Sequence, residues 1–283
     1  VTSGWGALDA RQRALVEAWL PGGVLEADLG WGLVATTVLR VRAADGALCV
    51  VKAGGPSDHH IAREIRAHRS WLGPWVREGR APALLHHDVE ARVLVTRWLP
   101  GRLVLDDPAA DDPGVFAQAG RLLADLHRVE PRRDPQYEAR ENERVRRWLA
   151  SEHRIAPADI ARLSALVDGW PEPPASLVPT HGDWQPRNWL VHDGEVRAID
   201  LGRADLRPAA TDLSRLAARD FRRDPALETA FLDGYGGDPR DPGAWARTRV
   251  REAVATAAWA YQVGDEAFER EGLALVAEVL AEA

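Results

Sequence analysis

His181-Gly182-Asp183-Trp184-Gln185-Pro186-Arg187-Asn188 is the stretch on which the reading of this 283-residue chain turns. Twelve residues past Asn188 stands Ile199-Asp200-Leu201-Gly202. Between them the runs 188–192 and 195–200 have strand character and meet at Asp193-Gly194, a dipeptide suited to a tight hairpin turn. A hairpin there folds the chain back on itself and sets Asn188 beside Asp200. Asp183, Asn188 and Asp200 would then share one place.

That set has a chemistry. The spacing H-x-D-x-x-x-x-N followed by a second aspartate belongs to phosphoryl-transfer sites, where the first Asp accepts a hydroxyl proton and the Asn and second Asp hold metal. Hard Mg²⁺ takes oxygen ligands, which Asn188 and Asp200 supply, and Asp183 places a carboxylate at an attacking hydroxyl. Asp183 alone reads equally well as a turn or capping residue; the whole set at these spacings does not.

Of 36 basic residues one, Lys52, is lysine. In so arginine-rich a chain, a position kept as lysine needs a compact ammonium rather than a planar fork. Runs at 24–28, 36–42 and 48–52, with Asp45-Gly46 between the last two, read as an antiparallel meander, and Lys52 ends its third strand. The next helix, about 58–72, shows Ile61, Ile65, His68 and Leu72 at helical spacing and carries Glu64. A Lys52–Glu64 ion pair would position the α- and β-phosphates of a nucleotide; a solvated helix face, shared with Arg63 and Arg66, is the other reading of Glu64.

A helix at 9–20 precedes the meander, capped by Asp9 and ended by Pro21-Gly22-Gly23. Strands are expected at 84–88 and 92–98, and Pro100-Gly101 then breaks the chain. Helices follow, one with the stripe Phe116, Ala119, Leu122, Leu123 and Leu126, others at 138–150, 158–168, 209–219, 225–235, 244–262 and 266–282. The order predicts an α+β, bilobal fold: a small antiparallel β lobe at 1–98 and a larger, mainly helical lobe at 99–283.

Composition narrows the rest. The single cysteine, Cys49, rules out an internal disulfide and reads as a small buried hydrophobe. A net charge of −7 argues against general nucleic-acid binding. The charges of Asp9, Arg11, Arg13 and Glu17 break up the start of the chain, and no apolar run long enough for a membrane span occurs; a cytoplasmic protein without membrane contact is expected.

The motifs His181-Gly182-Asp183 to Asn188, Ile199-Asp200, Leu126-His127 and Thr211-Asp212-Leu213 resemble the aminoglycoside phosphotransferase and choline-kinase-like superfamily, most specifically over 176–219. The resemblance implies a protein-kinase-like fold, ATP or GTP, Mg²⁺ and transfer to a small-molecule hydroxyl. It implies Asp183 as the base, Asn188 and Asp200 as metal ligands, Lys52 at the phosphates, a bracing Asp212, and Thr96, Arg97, Trp98 and Leu99 as the adenine-facing segment. Two departures stand out: Gly30-Trp31-Gly32 lacks a third glycine, Ala35 occupying its place, and Leu201 replaces the aromatic residue of D-F-G.

For the acceptor, Asp265, Glu266 and Glu269, joined by Asp205 and Glu252, would attract a cation such as an aminoglycoside or a basic peptide antibiotic. Acidic residues at a helix start also favour its dipole without any ligand. Trp184 packs beneath the catalytic loop or walls the acceptor site, and Trp259 and Tyr261 are candidates for the same cleft. His181 reads as a loop brace, and the pairs His59-His60 and His86-His87 as surface. Three functions stay open: an antibiotic-modifying kinase, a metabolic kinase for an amino alcohol or sugar, and a non-catalytic nucleotide-binding scaffold.

Overall fold

The computed structural model describes residues 5, 8–30 and 36–282. Trp31, Gly32 and Ala35, and with them the expected glycine loop, lie outside the described residues. The first helix, α1 (Ala10–Trp19), starts with a reciprocal cap: Gln12 N–H donates to Asp9 Oδ1 at 2.8 Å and Asp9 N–H donates to Gln12 Oε1 at 3.1 Å. The same Gln12 is buried and donates through Nε2 to the Gly54 and Ala91 carbonyls, each at 2.9 Å, riveting α1 to the sheet below.

That sheet has the order β1-β2-β3-β5-β4, all antiparallel, from β1 (Val24–Asp28), β2 (Thr36–Arg42), β3 (Leu48–Gly54), β4 (Leu84–Asp88) and β5 (Val93–Arg97). Side chains alternate between its faces. Leu39, Val51 and Val95 face α1 and pack with Val16 and Leu20. Cys49 is buried among them, as a small hydrophobe should be. Val38, Lys52 and Leu94 pair across the other face. Leu94 there packs against Ile61 and Ile65 of α2 (His60–Ser70). Alternation therefore aims Lys52 at the α2 side.

After a short helix α3 (Gly73–Arg77) and the β4–β5 hairpin, β6 (Arg102–Leu103) pairs with β9 (Trp189–His192), which pairs with β10 (Glu195–Ala198). The β9–β10 turn forms at Asp193 (φ 51°) and Gly194 (φ 76°), where the dipeptide placed it. The strand stops at Ala198 rather than running to 200, because Asp200 takes a left-handed backbone (φ 65°) that no ladder accommodates.

In chain order, α4 (Pro113–His127), β7 (Arg132–Asp134), α5 (Tyr137–Ala150), α6 (Pro157–Asp168) and β8 (Ala175–Thr180) precede this hairpin; α7 (Ser214–Ala218), α8 (Asp220–Arg223), α9 (Pro225–Tyr235), α10 (Pro242–Val263) and α11 (Glu266–Glu282) follow it. The expected helix at 209–219 is a 3₁₀ turn, Ala209–Leu213, running into α7. The chain forms two compact units. The first contains the five-stranded sheet, α2, α4, α8, α9 and the segments Pro179–Leu206 and Arg215–Gly237. Within it α4 and α9 approach closely at Gly120 and Gly234: a Cβ on either would overlap the partner helix's backbone. The second unit holds α5, α6, α10 and α11 around Leu163, Val167, Val254, Ala257 and Val276, with β7 paired antiparallel to β8. The sequence order of a small antiparallel sheet lobe and a larger mainly helical lobe is thus the observed bilobal α+β architecture. No helix among the described residues is long and apolar enough to cross a membrane.

Candidate active site

Lys52, Glu64, Asp183, Asn188 and Asp200 all fall in the first compact unit. Lys52 Nζ donates to both Glu64 oxygens at 2.9 and 3.0 Å and to Asp200 Oδ1 at 3.0 Å. Burial works against the Lys52 ammonium, but the Asp200 and Glu64 carboxylates outweigh it and push its pKa up. Lys52 in turn holds Asp200 well below the usual carboxylate range. Burial pushes Glu64 up, and Lys52 restrains that rise. Glu64 is thus no solvated helix position: its side chain is 4% exposed, while that of Asp200 is 54% exposed and opens outward.

Two further contacts fasten α2 to the Asp200 loop. His60 Nδ1–H donates to the Gly202 carbonyl at 2.9 Å, and Arg66 Nη2 donates to Asp205 Oδ1 at 2.8 Å. The hairpin works as its sequence implied: Ile199 N–H donates to the Asn188 carbonyl at 3.0 Å, so Asp200 leaves the sheet one residue from Asn188. His181 braces the same turn, donating from Nε2 to the Ile199 carbonyl at 3.0 Å. Trp184 is fully buried among His181, Trp75 and Trp189, which makes it a packing residue beneath the loop.

Asp183 is 3% exposed and held by three hydrogen bonds and an ion pair. Gln185 Nε2 (2.6 Å) and Arg215 Nε (2.8 Å) meet Oδ1; Arg187 Nη2 (2.6 Å) and Asn188 Nδ2 (3.0 Å) meet Oδ2. Burial alone would raise its pKa, but Arg215, Arg187 and the field of Arg203 reverse that and hold the carboxyl down. Gln185 and Arg187 lie inside the decisive stretch, yet their spacing announced no role. Arg215 is remote from that stretch and carried no local signal at all.

The donor set suits a nucleotide and Mg²⁺. Asn188 gives both bonds of its Nδ2 to Asp183, to the carbonyl at 2.7 Å and to Oδ2, which turns its Oδ1 away; among the described residues that oxygen has no protein donor, and neither has Asp200 Oδ2. These are two hard oxygens. No group of three or more His, Cys, Asp or Glu is placed to hold a metal alone among the described residues, so phosphate and water would complete the shell. In the segment expected to face adenine, Thr96 is buried opposite Val50, Arg97 N–H donates to the Ala83 carbonyl, and Trp98 N–H donates to the Leu48 carbonyl. The Arg40 guanidinium covers the Trp98 ring at 5.2 Å. Leu99 makes no backbone hydrogen bond among the described residues, which leaves its N–H and carbonyl available to a base edge.

The acidic residues expected at the acceptor fall in both units. Asp205 is ion-paired with Arg66 in the first unit. Glu252, Asp265, Glu266 and Glu269 belong to the second. There Glu269 is buried and paired with Arg154 at 2.9 Å, and Arg154 also lies over Tyr261. Asp265 accepts the Phe268 N–H at 3.0 Å as a helix cap, and Glu252 and Glu266 are exposed on their helices. Trp259 packs edge-on to Phe268.

Residues 29–252 match the phosphotransferase enzyme family. No curated protein matches the chain. Among solved structures, the chain is similar to the choline kinase LicA from Streptococcus pneumoniae (15% identity, 96% of this chain and 98% of that one covered, TM-score 0.69). It is also similar to a choline/ethanolamine kinase family protein from Mesorhizobium loti (20%, 95% and 95%, 0.65) and to the macrolide 2′-phosphotransferase MphH from Brachybacterium faecium (19%, 94% and 97%, 0.57). Motifs, bilobal fold and family match agree: this chain belongs to the phosphotransferase enzyme family, in the aminoglycoside phosphotransferase and choline-kinase-like superfamily.

Proposed function

We propose that the protein transfers the γ-phosphate of ATP to a hydroxyl of a small molecule, with Mg²⁺ held by Asn188 and Asp200. The observation that carries this reading is the single charge network in which Lys52 joins Glu64 of α2 to Asp200, while Asn188 joins the same loop to Asp183. Mg²⁺, when bound, would neutralise phosphate oxygens. Lys52 would orient the phosphates, and Asp183 would align the acceptor hydroxyl and take its proton. A carboxylate kept at low pKa is a weak base, which suits a loose transition state where positioning matters more than early proton removal.

Solved relatives are named as choline kinases and as macrolide phosphotransferases, so the fold alone does not choose an acceptor. Of the acidic residues expected to attract a cation, Asp205 and Glu269 are already paired with Arg66 and Arg154. The test is nucleotide turnover across an acceptor panel with and without Mg²⁺, using Asp183→Asn as control. Failure of Mg²⁺–nucleotide to bind, measured by calorimetry, would overturn the reading.

A further inference from the structure

We propose that Arg187 and Arg215 form an oxyanion site beside Asp183, and that the acceptor carries a carboxylate or phosphate next to the hydroxyl it presents. This rests on the phosphotransferase reading and names its substrate class. The two oxygens of Asp183 accept three hydrogen bonds, from Gln185, Arg187 and Asn188, and Oδ1 also lies 2.8 Å from Arg215 Nε in an ion pair. A hydroxyl approaching Asp183 competes with these partners. Gln185 and Asn188 are buried; Arg187 is 41% exposed and Arg215 23%. Arg187 is the donor with room to leave.

Two guanidinium groups face the one carboxylate of Asp183. Each arginine touches Asp183 through a single nitrogen, Nη2 of Arg187 and Nε of Arg215; among the described residues neither makes a second hydrogen bond or ion pair, and Arg187 also lies in the field of Asp200. The rest of each planar fork is unmet, and none of those nitrogens is sealed from solvent. Paired, partly desolvated guanidinium forks recognise oxyanions with two bonds at a time. An anionic acceptor would supply Arg187 with a new partner as its hydroxyl takes the vacated place on Asp183. A quaternary or primary amine would meet the two guanidinium groups, so the same pair disfavours cationic acceptors. The transferred phosphoryl group is the other oxyanion within the chemistry of these forks.

Calorimetric titration separates the sources. The protein is saturated with Mg²⁺ and the non-hydrolysable nucleotide AMP-PNP, then titrated with inorganic phosphate, D-glycerate, gluconate and glycerol 3-phosphate, and in parallel with glycerol and choline. At least one anionic probe is expected to bind about tenfold or more tighter than glycerol, with choline not binding, since hydrogen bonds to charged groups are worth that much. Arg187→Gln and Arg215→Gln should each weaken the anion about tenfold and leave AMP-PNP affinity within a few-fold. Arg187→Lys should recover part of the loss, which a purely structural role would not produce. Asp183→Asn, which removes the competing carboxylate, should tighten the anion. The proposal is overturned if no anionic probe outbinds glycerol, if the variants leave anion binding unchanged, or if Arg187→Gln weakens AMP-PNP as much as the anion, which assigns the site to the nucleotide's own phosphate. If AMP-PNP does not bind at all, the phosphotransferase reading fails, and the same titration without nucleotide still decides the oxyanion site.

Discussion

Lys52 is a half-buried charge and Asp183 a buried one, and opposite surroundings hold them charged. Removing Lys52 leaves Glu64 buried beside Asp200 with no cation, so Lys52→Ala should cost about 3 kcal/mol in denaturant unfolding. Lys52→Met combined with Glu64→Leu should restore most of that stability and none of the activity, because an apolar pair needs no compensation but holds no phosphate. Lys52→Arg should also inactivate: a planar fork cannot replace a point charge bonded to three oxygens at about 3 Å. Asp183→Asn should lower turnover about 1000-fold while nucleotide affinity, measured by calorimetry, stays unchanged. Of these residues, Lys52 stood out by being the one lysine, and Asp183 by its spacing to Asn188 and Asp200. The guanidinium of Arg215 on Asp183 was illegible, since nothing near residue 215 in the chain refers to residue 183.

Among the elements, α2 carries a device sensitive to pH. Both ring nitrogens of His68 are buried without a hydrogen-bond partner, and burial, with Lys52 nearby, pushes its pKa down to about 4. An unfolded histidine titrates near 6.5. The folded value is the lower one, so the contribution of His68 is fully present above about pH 6.5 and is lost as pH falls towards about 4. His68→Leu should flatten the fall in denaturation midpoint between pH 7 and 4.5; an unchanged slope would show that His68 does not titrate in that window. Helices α4 and α9 make a different demand. Their backbones meet at Gly120 and Gly234, where an added Cβ has no room, so Gly120→Ala or Gly234→Ala should destabilise by about 2 kcal/mol or more, read as a lowered thermal midpoint. Element types and hairpin turns followed from local pattern. The pairing of β6 with β9 did not, because a strand of two residues, Arg102–Leu103, has too few positions to show a period.

At the scale of the whole molecule, a net charge of −7 coexists with a guanidinium-rich site around Asp183. The bulk charge should keep the protein from binding polyanions: at about 0.15 M salt, where charges are screened beyond about 8 Å, it should pass through a heparin column unretained. Small anions would still reach the local cluster, which acts at hydrogen-bond range. The strands of the five-stranded sheet, the long helices, the turn at Asp193-Gly194 and the spacing from Asp183 to Asn188 and Asp200 were readable from the chain alone, while the strands Arg132–Asp134 and Ala175–Thr180 were not. The readable features depend on periodicity and on turn residues within a few positions of one another. Which charges neutralise which was decided only in three dimensions: Glu269 went to Arg154, Asp205 to Arg66, and Asp183 to two arginines at once. Coulomb energy and desolvation depend on distances through space, and those distances exist only once the backbone has closed.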